Sequence, residues 1–302
     1  MHNIKANFVK ILKLAKDVFK PEVNVHLNFK SYPRMPKCSD LEIIAMAVSA
    51  DAIGIDSENY LFGKLRSDYP SLYKRFPDRS NYNRRRRKLM EHTDRLSSAL
   101  AIRMIGQNTD FIVDSMPLPV CRFARTSRLK ILKNETGIIP QIGYSAIDKT
   151  YFNGYKLHLL SSEQGVIKSF CLSQANVHDI KMLEPLTKEF ITDCVLIGDK
   201  GYISKVGQLD LFNSNKIDLI TPSRNNQSAP SSFSWSHRKK RKRIETVFSQ
   251  FCDQLMIKRN YAKSFDGYYC RILSKIAAFT SLQYINFRNE KPLNKIKYAL
   301  AA

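Results

Sequence analysis

The apolar positions of this chain change their period near residue 106. Before it they recur at helical spacing. Phe8, Ile11, Leu12, Ala15 and Val18-Phe19 share one face over 4–20, and Lys5, Lys10, Lys13, Lys16 and Lys20 fill the other. A proline-rich break (Pro21, Pro33, Pro36) follows, and Ser39-Asp40 reads as the N-cap of a helix over 41–53. Two short helical pieces come next, split by Pro70 and Pro77, and one long helix is predicted over 81–104. Residues 1–106 thus predict an all-helical domain.

After Gly106-Gln107-Asn108 the apolar runs shorten and become strand-like. Phe111-Ile112-Val113 ends on Asp114-Ser115, and Pro117 and Pro119 are expected to stop that strand. A basic loop over 122–136 turns at Gly137. Residues 154–160 and 166–172 read as a hairpin. Asn176-Val177-His178-Asp179 leads into an amphipathic helix carrying Ile180, Leu183 and Leu186, with Asp179 as its expected cap. The run Val195-Leu196-Ile197 is a buried strand that ends on Gly198-Asp199-Lys200-Gly201-Tyr202.

A helix over 204–214, a strand over 217–220 and a polar loop over 223–236 follow. Then Ile244, Val247, Phe248, Phe251 and Leu255 make one helical face, with Glu245 beside it. A tail helix over 269–287 closes the chain. Antiparallel strands followed by strands alternating with helices predict an α/β class, a mixed β-sheet flanked by helices. The expected domains are 1–106 and 107–302.

Charge adds a partner to this picture. The 302 residues carry 49 Lys and Arg against 27 Asp and Glu, a formal net charge of +22. A surplus of that size on a chain with 43% hydrophobic residues points to a folded protein with a polyanion partner, nucleic acid first. Two runs concentrate it: Arg84-Arg85-Arg86-Arg87-Lys88 and Arg238-Lys239-Lys240-Arg241-Lys242-Arg243. Both are expected to follow DNA phosphates, which needs no base identity. The six cysteines form no Cys-x-x-Cys pair, which argues against a zinc ribbon and for reduced thiols. With no signal peptide and no apolar run of about 20 residues, the expected setting is cytoplasmic, nucleoid-associated and off the membrane.

The acids supply candidate chemistry. In a mixed sheet the strands ending on Asp114 and Asp199 can lie side by side, and Glu245 can close the group from a helix. Asp110 and Asp193 precede their strands and fall at the wrong end of the sheet. Two aspartates and a glutamate make a hard-oxygen set suited to Mg²⁺ or Mn²⁺. Two such ions about 3.5–4 Å apart clamp both oxygens of a phosphodiester displacement. Lys200 and Tyr202, flanking Asp199 in its turn, are placed to touch the phosphate. The lone Trp235 is a candidate to stack on a displaced base, and His158 and His178 read as structural.

Five blocks in one order carry a resemblance. They are 111–121 (Phe-Ile-Val-Asp-Ser-Met-Pro-Leu-Pro-Val-Cys), Gly154-Tyr155-Lys156-Leu157-His158, 175–180 (Ala-Asn-Val-His-Asp-Ile), 198–202 and 243–250. Together they resemble bacterial insertion-sequence transposases of the IS982 group, DDE transposases with an RNase H-like core. The likeness extends through 81–87 and 283–286. It implies that Asp114, Asp199 and Glu245 form the metal-binding catalytic triad. It also implies that the N-terminal region binds terminal inverted repeats, and that hydrolysis at the element's ends precedes attack of the freed 3′-hydroxyl on target DNA. Two ends acting together favour a homodimer.

One departure concerns the related IS4-type pattern, in which a Tyr and an Arg precede the Glu and a Lys follows it. Arg241 fits the Arg slot, but Arg238 and Cys252 hold the other two, and Lys258 or Arg259 stands one to two turns later. A nuclease without strand transfer and an inactive DNA-binding remnant are the alternative readings.

Overall fold

The structure, a computed structural model, describes residues 3–106, 110–132, 138–146, 148–223 and 233–301. The turn expected at Gly137 and most of the loop expected over 223–236 lie outside those residues. The chain folds as two compact units, one made of 1–101 with 250–302 and one of 102–249.

The first unit is helical. Its helices are α1 (Ile4–Phe19), α2 (Asp40–Ala52), α3 (Glu58–Asp68), α4 (Pro70–Arg75), α5 (Arg79–Lys88), α6 (Met90–Ile102) and α10 (Phe265–Arg288). Ser39 caps α2 as its spacing predicts, and the cap is reciprocal. Ser39 Oγ accepts from Glu42 N at 3.2 Å while Glu42 Oε2 accepts from Ser39 N at 2.8 Å. Every residue of α2 is buried, which explains why its apolar positions show little periodicity. The helix expected over 81–104 is two helices broken at Leu89.

The tail helix, expected to complete the sheet domain, differs from that expectation. As α10 it packs against α2, and residues from Tyr268 to Asn286 are buried along most of its length. A helix apolar around most of its girth needs helical neighbours on several sides.

The basic run on α5 is divided by that packing. Arg86 is buried and paired with Asp51 at 2.9 Å and Glu58 at 3.0 Å. Lys275 reaches Asp51 at 3.1 Å, and Arg271 pairs with Glu58. Burial pushes the Asp51 carboxyl up, but Lys275 and Arg86 outweigh it, and its pKa ends below the ordinary carboxylate range. Arg85 is bound to Asp40 and to the Cys38 carbonyl, each at 2.7 Å. Arg84, Arg87 and Lys88 are exposed. Arg85 and Arg86, expected to face DNA, are therefore held by the protein's own acids.

The second unit holds a mixed sheet of six strands: β1 (Phe111–Arg122), β2 (Gln141–Ser145), β3 (Thr150–Ser162), β4 (Ile167–Gln174), β5 (Cys194–Ile197) and β6 (Ile217–Ile220). Their order is β2-β3-β1-β5-β6, and β4 also pairs with β3. The strand β3 is long enough to take β1 along one edge and β2 then β4 along the other. Short helices α7 (Leu183–Thr187) and α8 (Lys205–Asn215) connect the later strands, and α9 (Trp235–Asp253) follows. Leu183, Leu186 and Leu211 from α7 and α8 join Val113, Leu160, Leu196 and Leu219 from the strands in one core.

The prolines do not stop β1. It runs twelve residues, and Pro117 and Pro119 sit opposite Lys156 and Gly154 in the antiparallel ladder with β3. Both lie beyond the last residue that β1 shares with β5, where its other edge has no neighbouring strand. An open edge tolerates the missing N–H. A bulge between Pro119 and Cys121 brings the β1 backbone onto Gly154, where a Cβ would stand 2.3 Å from the Leu118 carbonyl oxygen. Only glycine fits that crossing.

The buried pairs of Arg86 give a stability test. Arg86→Met leaves two buried carboxylates short of one cation and is expected to cost about 3 kcal/mol, the low end for a broken buried pair because Lys275 and Arg271 remain. Arg87→Ala, at an exposed site, is expected to stay within about 0.5 kcal/mol of wild type. Denaturant midpoints of the two variants check this, and equal losses would count against the pairing.

Candidate active site at the ends of two parallel strands

The position of the two aspartates follows from strand register. β1 and β5 run parallel, with Phe111 opposite Leu196 and Ile112 opposite Ile197. Asp114 and Asp199 each stand two residues beyond the last of these rungs. Parallel strands in register therefore deliver both carboxylates to the same end of the sheet. Asp110 and Asp193 precede the strands at the other end.

Local backbone fixes each carboxylate. Asp199 caps a 3-10 turn over Lys200–Tyr202, and its Oδ1 accepts from Gly201 N at 2.8 Å. Asp114 Oδ1 accepts from Ser115 N at 2.8 Å. Burial pushes the Asp114 carboxyl up to about 7, and the neighbouring Asp199 adds to the rise. The Ser115 N–H and Arg241 pull the other way. Burial raises Asp199 as well, against the Gly201 N–H and Arg241.

Glu245 comes from α9. The apolar stripe anchors that helix, with Ile244, Val247 and Phe251 fully buried. Arg241, one turn earlier, stands between the acids, 4.0 Å from Asp114 Oδ2 and 3.8 Å from Glu245 Oε1. The Glu245 side chain is 58% exposed. Arg241 thus links the strand carboxylates to the helix carboxylate.

The remaining basic residues separate by exposure. The run over 238–243, which begins where the polar loop ends, forms the first turns of α9. Arg238, Lys239, Lys242 and Arg243 are exposed, whereas Lys240 is ion-paired with Asp110 and with Glu163 at 2.7 Å. Lys240 and Arg241 thus face protein acids rather than solvent. Lys200 is exposed in the turn after Asp199. Trp235 is 73% exposed, with the Lys239 ammonium 5.3 Å over its ring.

Two side chains differ from expectation and a third follows it. Asp179 does not cap the helix that follows it. Its Oδ1 takes Lys156 Nζ at 2.5 Å, and its charge adds to the rise at both Asp114 and Asp199. Tyr202 is fully buried, so its phenol is not turned toward a phosphate. His158 is fully buried and bonded to Ser173 Oγ at 2.8 Å, as a structural histidine should be, and burial pushes its imidazole down to about 4. The sequence signals for Asp179 are its place in the 175–180 block and directly after a histidine, and a helix cap also explains the second.

The donor set is all oxygen, which fits a hard divalent cation. Asp114 and Asp199 raise no objection to one: their carboxyls are held up by burial and, at Asp114, by mutual repulsion, and a cation relieves both. Among the described residues, no three His, Cys, Asp or Glu side chains are gathered closely enough to cage a metal without movement.

Residues 105–264, just over half of the chain, match the family model described as Transposase DDE domain. No curated protein and no solved structure matches the chain.

The titrations set a pH dependence for the metal-free protein. An unfolded aspartate titrates near about 3.9 and an unfolded histidine near about 6.5. Folded Asp114 keeps its proton up to about 7, so its stabilising contribution is full at low pH and is lost as pH rises through that value. His158 acts oppositely: its contribution is present above the unfolded value and is lost as pH falls toward about 4. The two offset each other in acid, and between about pH 6.5 and 7 the loss at Asp114 is no longer matched by His158. Denaturant midpoints are expected to fall across that window, and Asp114→Asn to flatten the fall. A slope that survives the substitution points to another group.

Proposed function

Because the chain belongs to the family of transposases with a DDE domain, we propose that it is the DNA transposase of an insertion sequence of the IS982 group. It binds the terminal inverted repeats, cleaves at the element's ends and joins the freed 3′-hydroxyl to target DNA. The observation that carries this reading is the register of β1 and β5, which supports Asp114 and Asp199 as the paired ligands of an RNase H-like core.

In this reading Asp114 and Asp199 hold the metal from the strand ends and Glu245 completes the set from α9. Bound there, two Mg²⁺ or Mn²⁺ ions supply the Lewis acidity that activates water and steadies the leaving oxygen. The protein's own groups do the rest. Ile112 and Ile197 lock the strands that aim the two aspartates. Arg241 keeps Asp114 and Glu245 neutralised until DNA and metal arrive. Lys200 contacts the scissile phosphate from the turn after Asp199.

Phosphates along the duplex are met by exposed cations: Arg84, Arg87 and Lys88 on the first unit, and Arg238, Lys239, Lys242 and Arg243 on the second. Trp235 offers an exposed indole beside them for a displaced base. The helical unit reads the inverted repeat, and a homodimer pairs the two ends. No helix among the described residues is long and apolar enough to cross a membrane.

Incubation of the protein and Mg²⁺ with a labelled inverted-repeat end tests the reading. Cuts with joined products are expected. Cuts alone fit a nuclease, and a gel shift without cuts fits a DNA-binding remnant. Asp199→Asn is expected to keep the gel shift and lose cleavage by at least about 100-fold, the scale of losing a principal electrostatic group. Cleavage by that variant at the wild-type rate would remove Asp199 from the site.

A further inference from the structure

The transposase reading gives no role to Asp179, an acid beside the site. Asp179 opens the 3-10 segment after β4 and turns its side chain into the site. Its two oxygens face different partners. Oδ1 takes Lys156 Nζ at 2.5 Å. Oδ2 faces Asp199 across the Gly201 backbone: a Cβ on Gly201 would stand 3.0 Å from both Asp179 Oδ2 and Asp199 Oδ1. Glycine is what lets the two carboxylates close on that backbone. Anionic oxygens this near repel unless they share a cation. Lys156 supplies positive charge to both, paired with Asp179 and acting on Asp199 as well.

His158 gives a second, independent sign. It lies on β3 two residues from Lys156, and its side chain is fully buried. The Ser173 hydroxyl donates its hydrogen to the Gln174 carbonyl at 3.1 Å. The 2.8 Å contact between His158 Nε2 and Ser173 Oγ is therefore donated by the ring, and Nδ1 carries the lone pair. That Nδ1 has no hydrogen-bond partner among the described residues and stands 4.0 Å from Asp179 Oδ1. Two acceptors facing each other over a buried gap call for a donor or a cation between them.

We propose that Asp179 belongs to the metal-binding carboxylates, with its Oδ2 sharing a cation with Asp199, and that Lys156 is the built-in cation that neutralises this pair in the metal-free protein. The proposal rests on Asp114 and Asp199 being metal ligands. It adds a third aspartate to them, and it makes Lys156 a competitor of the metal. A Lys156–Asp179 pair that served structure alone would behave differently. Removing either partner would then alter stability and leave metal affinity unchanged. A shared cation site requires the two removals to change metal affinity in opposite directions.

Mn²⁺ binding to the full-length chain, followed by electron paramagnetic resonance of the free ion, separates these. Asp199→Asn is expected to weaken binding by about tenfold or more, Asp179→Asn by about tenfold, and Lys156→Met to tighten it by about threefold, the range over which ligand charge and supporting groups tune metal sites. Loss in Asp199→Asn with no change in Asp179→Asn overturns the proposal and leaves the active-site reading standing. No loss in Asp199→Asn overturns that reading itself. Where circular dichroism finds Asp179→Asn unfolded, Lys156→Met decides: unchanged or weaker Mn²⁺ binding overturns the proposal.

Discussion

Everything at the site depends on one conflict, that of two carboxylates held side by side by strands that have no electrostatic reason to put them there. The rungs joining Phe111 to Leu196 and Ile112 to Ile197 are apolar and buried, and they fix the register. Two residues later the chain presents Asp114 and Asp199 to each other. Repulsion at that point opposes the fold, and the apolar core outweighs it. The rise of the Asp114 carboxyl to about 7 comes first from burial and then from this neighbour. A carboxyl raised this far by burial and a like-charged neighbour is, on physical grounds, a candidate functional group rather than a stabilising one.

The same constraint sorts the protein's cations. A net charge of +22 counts all of them alike, yet the cations at the buried acids, at the site and along the two basic runs fall into three groups. Arg86, Arg271 and Lys275 hold the buried acids of the helical unit. Lys156, Lys240 and Arg241 stand against the acids around the sheet. Arg84, Arg87, Lys88, Arg238, Lys239, Lys242 and Arg243 remain exposed. Of these three, the last group, together with exposed Lys200, speaks for a polyanion partner. The first two are satisfied at home, at distances that leave little attraction for a phosphate.

Much of this was legible in the residues. The mixed sheet follows from a hairpin followed by alternating strands and helices, and the ends of Phe111-Ile112-Val113 and Val195-Leu196-Ile197 name the two aspartates. What escaped did so for physical reasons. Pro117 and Pro119 read as a strand end because the open edge of β1 is a tertiary fact. Gln141–Ser145 is too short to signal as a strand and exists because β3 runs past β4 and leaves that edge open to it. Arg84 to Lys88 looks uniform in sequence, and only the buried acids of α2 and α3 divide it. Asp179 looked like a cap because a carboxylate at a helix start has a local explanation. Its true partners, Lys156 on β3 and the Gly201 turn, lie far away in sequence.

The placement of charge on α9 carries the argument one step further. The first turns of a helix end carry partial positive charge, which favours acids and disfavours cations. Here the helix opens at Trp235 with no acid in its first turn and runs directly into six consecutive basic residues. Two of these are neutralised by Asp110, Glu163, Asp114 and Glu245. The other four are exposed on a helix end that repels them. Such an arrangement costs stability in the isolated chain and is relieved by a polyanion, whose phosphates meet both the side chains and the helix terminus. Glu245 lies on the same helix only a turn or two further on. Anchoring this helix on DNA would therefore also fix the third acid, so that phosphate binding and completion of the active site become one event.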